Sequence, residues 1–130
     1  MNKRAYTPHR TEHTEQCAVI DWRNANIGAM PELRWLHAIP NGGARSISTA
    51  VQLKLEGVTR GIADLFWPLK RYDYCGLYIE MKIHPNKPTP EQLEFIQYAH
   101  RQGYCALVCF SADEAIDALK WYYTYDGIPF

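Results

Sequence analysis

The sequence predicts a mixed α/β domain with a mixed central sheet flanked by helices. Three observations point there. The second half alternates strand, helix, strand and helix, which requires a parallel crossover. Two strong helix starts, Thr89-Pro90-Glu91-Gln92 and Ser111-Ala112-Asp113-Glu114, bracket the apolar run 104–110. Apolar residues make up 47% of the 130 positions and charged residues 22%, enough for one core and too apolar for general disorder.

Taken in order, residues 1–10 carry Lys3, Arg4 and Arg10 without an acid and read as a flexible basic arm. Residues 11–130 read as one domain. A first helix is capped near Thr11, runs to about Asn26 and has Gly28 just past its end. Residues 33–39 suit a short strand or a helical turn; the strand is favoured, because Pro40-Asn41-Gly42-Gly43 must turn. A second helix fits 48–56, with Gly57 at its C-terminal cap. A loop follows, then a strand opening at Asp64 and closing at Pro68. Residues 70–74 form a polar turn, and 75–83 form the clearest strand. The stretch 84–90 holds three prolines and reads as a loop. Helix 90–102, strand 104–110 and a helix to about Tyr123 complete the chain.

The chemistry concentrates on strand 75–83. Leu77, Ile79 and Met81 point to one side; Tyr78, Glu80 and Lys82 point to the other. Glu80 and Lys82 then share a face, about 7 Å apart along the strand. In isolation, such a pair most often marks a solvated face with a cross-strand ion pair. Asp64 changes the weighing. Fifteen residues separate it from Glu80, room for a hairpin that sets the start of one strand beside the end of the next. Two carboxylates held together repel, and a divalent cation relieves that repulsion. A neighbouring lysine orients a water or steadies charge on a phosphate.

Asp64…Glu80-Met81-Lys82 resembles the PD-(D/E)xK nuclease core. Three further segments, Ile39-Pro40-Asn41-Gly42-Gly43-Ala44-Arg45, 57–65 and 77–82, resemble its VRR-NUC branch. Glu12-His13-Thr14-Glu15-Gln16 stands where that family has an acidic helix motif, and Pro90-Glu91-Gln92 opens the helix after the catalytic strand. The likeness spans about residues 11–123. Ala63 departs from the proline of the superfamily name, at a position that shapes backbone rather than chemistry.

The resemblance implies a restriction-endonuclease-like core and a metal-dependent DNA endonuclease. Asp64 and Glu80 would coordinate Mg²⁺ or Mn²⁺, with the Met81 carbonyl as a further ligand, and Lys82 would position the attacking water. Glu12 and Glu15 compete to complete the metal site; the family spacing favours Glu12. Gln92 serves either a capping box or the active site. Asn41, beside two glycines, serves a turn or DNA. Arg45, Lys54 and Arg60 are either phosphate contacts or solvated surface. The family also implies branched substrates such as four-way junctions or flaps, a homodimer, and a phage or bacterial setting in replication or repair. The alternative is a catalytically inactive nuclease-fold module for DNA binding or assembly.

Composition constrains these expectations. Fourteen basic and fourteen acidic side chains cancel, which argues against coating nucleic acid by bulk charge but not against a nuclease that offsets its own carboxylates with metal. No apolar run approaches the roughly 20 residues of a membrane span, and the N-terminus lacks a secretory pattern. Cys17, Cys75, Cys105 and Cys109 form no Cys-x-x-Cys pair. A cytoplasmic protein with free thiols is expected. The five histidines show no zinc spacing; His37 reads as a packed or edge residue, and His84 as a neighbour of the site. The aromatic group 121–125 suits core packing with a remainder for a dimer surface.

Overall fold

A computed structural model describes residues 9–40 and 46–128. The first helix, α1 (Glu12–Asn26), opens on a reciprocal cap: Thr11 accepts from the Thr14 N–H while the Thr14 hydroxyl accepts from the Thr11 N–H. Its inner face buries Val19.

A strand over 33–39 is not what forms. Pro31, with its fixed φ, starts a 3-10 turn over Pro31–Trp35, and the Leu36 N–H bonds back to the Leu33 carbonyl at 3.1 Å. That winding buries Leu33 and Leu36 completely. Only His37–Ala38 remains extended, as β1. His37 is an exposed residue of this edge strand, with its ring edge-on to Phe66. Helix α2 (Ile47–Leu55) follows, capped by Ser46, and buries no residue. Asn41 and Arg45 lie outside the described residues, as does the basic arm up to residue 8.

Strands β2 (Leu65–Trp67) and β3 (Leu77–Met81) pair antiparallel across the 70–74 turn. Helix α3 (Pro90–Arg101) then returns the chain so that β4 (Cys105–Cys109) lies parallel to β3. The sheet order is β1-β2-β3-β4. Gly76 opens β3 because Phe66 leaves no room there: a Cβ would sit 2.8 Å from its ring. The strand is shorter at both ends than the expected 75–83. Helix α4 (Ala112–Tyr123) closes the fold. Its Ser111 accepts from the Glu114 N–H, but the Glu114 carboxylate passes Ser111 and takes the Phe110 N–H at 2.6 Å.

The two sheet faces divide the labour. Leu65, Trp67, Leu77, Ile79 and Met81 point into one core with Leu33, Leu36, Leu119 and Tyr122, under α1 and α4. Each such side chain contributes about 1.5–3 kcal/mol by burial. The indole of Trp67 donates to the Glu32 carbonyl, which satisfies its one polar atom. Phe66 and Tyr78 stack on the opposite face at 4.4 Å, and Phe95 of α3 meets Tyr78 edge-on at 5.0 Å. Asp64, Glu80 and Lys82 continue this second face past its aromatic patch. Among the described residues, no helix is long and apolar enough to cross a membrane.

Candidate active site

The register dictates the site. Leu65 pairs with Ile79, so one step outward sets Asp64 across from Glu80. Here β2 has ended, and the Met81 N–H on that edge would face nothing. The Asp64 carboxylate accepts it at 2.7 Å, continuing the ladder with a side chain. The Met81 carbonyl leaves β3 on the same edge, while its side chain is buried in the core.

Glu80 is 2% exposed. Its Oε1 accepts from the Gln92 amide at 2.9 Å and lies 3.5 Å from the Lys82 Nζ. Its Oε2 is buried without a hydrogen-bond partner. Burial first, and then the neighbouring Asp64 charge, push the Glu80 pKa up to about 8, against the pull of Lys82. Lys82 is itself buried, and its backbone N–H bonds to the Cys109 carbonyl. An ion pair this deep repays little in stability.

Gln92 bonds in two directions. Its Oε1 accepts the Thr89 N–H and completes the α3 cap. That bond fixes the amide and aims its N–H₂ at Glu80. The helix cap and the positioning of the carboxylate are one interaction.

These groups line an open cleft of about 220 Å³, with Glu12, Arg60 and Glu91 on its walls. Gly61, at φ +90°, lets the loop before Asp64 press against α3, where a Cβ would come within 3.0 Å of Glu91. Glu15 is not on the cleft: Arg10 holds its carboxylate at 2.7 Å, and the Ala112 N–H adds a bond at 3.3 Å. Lys54 is exposed on α2 and does not line the cleft either. Glu91 escaped the sequence reading, although it sits beside Gln92 in the same helix start. A cap that aims residue 92 inward also brings its neighbour to the rim.

Among the described residues, no three His, Cys, Asp or Glu side chains converge tightly enough to enclose a metal. Two carboxylates, one with an unpartnered oxygen, form an open donor set. That composition suits Mg²⁺ or Mn²⁺, hard cations that keep waters and take one or two carboxylates plus phosphate oxygens. It does not suit a closed zinc site.

The family model for the VRR-NUC domain matches residues 3–113. A solved structure described as a VRR_NUC domain protein is 30% identical, covers 89% of this chain and 90% of its own, and superposes with a TM-score of 0.73. No curated protein gives a significant match. With most of the chain matched both in sequence and in fold, this protein belongs to the VRR-NUC family of nuclease-type domains.

Proposed function

We propose that the protein is a Mg²⁺- or Mn²⁺-dependent DNA endonuclease acting on branched DNA, four-way junctions or flaps. The observation that carries this is Glu80: a buried carboxylate, fixed on one oxygen by Gln92 and Lys82, bare on the other, and facing Asp64. A fold seeking only stability would not keep such a group, since an apolar residue there would cost less.

Asp64, Glu80 and the Met81 carbonyl would hold the metal, and Glu12 on the facing wall would bind its waters. The bound ion supplies Lewis acidity toward the scissile phosphate and lowers the pKa of water. Lys82 orients the attacking water and faces the charge carried by the phosphoryl oxygens. Gln92 keeps Glu80 in position. Arg60 on the rim contacts a flanking phosphate, and Asn41, Arg45 and Lys54 extend that contact along the strand.

The protein acts as a homodimer in this reading. Ile47, Val51 and Leu55 recur every four residues along α2 and are 86%, 53% and 82% exposed, an apolar stripe suited to a second copy. The free cysteines agree with a reducing cytoplasm.

Cleavage of labelled junction, flap and linear duplex in Mg²⁺ or Mn²⁺ tests the assignment. Wild type should cut branched DNA, and Lys82→Ala should not. A wild type that cuts none of the three, or a Lys82→Ala variant as active as wild type, overturns it.

A further inference from the structure

A second cavity, about 480 Å³, lies beyond the C-terminal ends of β3 and β4 and shares Glu12 with the catalytic cleft as a common wall. It has a different character. His9, Arg10 and His13 come from the entry to α1, and His84 comes from the chain just past Lys82. One guanidinium, three imidazoles and the Glu12 carboxylate line the cavity, and the guanidinium is paired from behind by Glu15.

Two of these groups are held in place. Arg10 gives Nε and Nη2 to Glu15 at 3.1 and 2.7 Å, and Nη2 also reaches the Phe110 carbonyl at 3.3 Å. The Nη1 end of the fork carries its remaining donors. Glu15 is anchored in turn by the Ala112 N–H. His84 lies flat on the Phe110 ring, with centroids 4.2 Å apart and planes 9° from parallel. It is exposed, so Phe110 backs a plate whose other face is open. The imidazoles do not converge as metal ligands. His13 has Nε2 3.6 Å from the Cys17 Sγ, which leaves its other ring nitrogen for a ligand.

We propose that this cavity is a nucleotide subsite. It takes an unpaired nucleotide next to the scissile phosphodiester, with its phosphate on Arg10 and His13 and its base on the open face of His84. A base locked in a duplex offers no free face to such a plate, whereas an unpaired base does. The inference rests on the nuclease reading and adds to it a physical reason for preferring flapped or open-branched DNA.

Binding in Ca²⁺, followed by fluorescence anisotropy, compares a flap DNA with a blunt duplex of the same sequence. Wild type should favour the flap about tenfold, the stacking of one base. His84→Ala should bring the two affinities within about twofold, and His84→Trp, which restores a plate, should recover the preference. A methylphosphonate at the first flap linkage should weaken wild type several-fold and weaken His13→Ala clearly less, since only Arg10 then still holds that phosphate. His84 and His13 are exposed, and thermal melts of each variant verify the fold. A His84→Ala variant that keeps the wild-type ratio, a His84→Trp variant that fails to restore it, or a methylphosphonate penalty undiminished in His13→Ala overturns the subsite. If wild type binds and cuts DNA while any of these holds, only the subsite falls. If wild type binds neither DNA, the nuclease reading falls with it.

Discussion

Replacing Glu80 by Gln should stabilise the metal-free protein while abolishing cleavage, and the gain should depend on pH. The ordinary carboxyl value is 4.5 and the folded value about 8. The folded state therefore binds a proton that the unfolded state has released. Glu80's contribution to stability is full below pH 4.5 and is lost as pH climbs through 8. At pH 7 the loss is about 3 kcal/mol, from 2.5 pH intervals at roughly 1.4 kcal/mol each. Glutamine has the same shape, can accept from Gln92, and has no proton to take up. A carboxyl held to about 8 is mostly protonated at pH 7, so Lys82 has no ionised partner to lose there, and its pull is already contained in the shift. The net is about 3 kcal/mol at pH 7, a rise in Tm of roughly 10–15 °C for a chain of this size. At pH 5 the gain should shrink to less than about 1 kcal/mol. Thermal melts in EDTA at half-unit steps from pH 5 to 8 read the difference directly. A ΔTm that stays flat across that range, or a variant less stable than wild type at pH 7–8, refutes the account of Glu80 as a carboxyl held against its ordinary ionisation.

Other consequences are equally measurable. Mg²⁺ or Mn²⁺ should raise the wild-type Tm, and less at pH 6.5 than at pH 8, because the ion must displace the Glu80 proton; calorimetry in two buffers of different ionisation enthalpy should detect that release, and Glu80→Gln should eliminate it. Gln92→Ala removes the reciprocal half of the Thr89 capping box and the Glu80 contact, so stability should fall by about 1–2 kcal/mol in denaturant titrations. Gln92→Glu keeps the cap acceptor but sets a further acid against Glu80, so cleavage should fall more than stability. Gly76→Ala should destabilise by about 1–3 kcal/mol, because Phe66 must leave its stack with Tyr78; unchanged melting would show that the ring yields freely.

Much of this architecture is written locally. Thr89 with Gln92 and Ser111 with Glu114 announce α3 and α4, and alternation through 77–82 announces β3 with its two faces. The same alternation, joined to the hairpin between Asp64 and Glu80, brings the two carboxylates together without knowledge of the rest of the fold. Residues 33–39 were not legible in the same way. Pro31 biases the chain to wind, yet Leu33 and Leu36 suit either state, and their burial against the sheet is a tertiary fact. The separation of Glu12 from Glu15 is likewise tertiary. Three residues apart on one helix, they could face the same side. Arg10 and the Ala112 N–H, the latter 97 positions away, draw Glu15 aside. Nor does any local pattern show that Gln92 both caps its helix and holds Glu80, because the second bond depends on where α3 lands.

The bond from the Met81 N–H to Asp64 has a practical consequence. It joins one backbone amide to one carboxylate proposed to bind the ion. Any change in the carboxylate's charge, rotamer or ligation must alter the shielding of that proton and its rate of exchange with water. The Met81 amide resonance is thus a built-in sensor. A single cross-peak, followed through a titration, reports the occupancy of the centre without substrate, label or turnover.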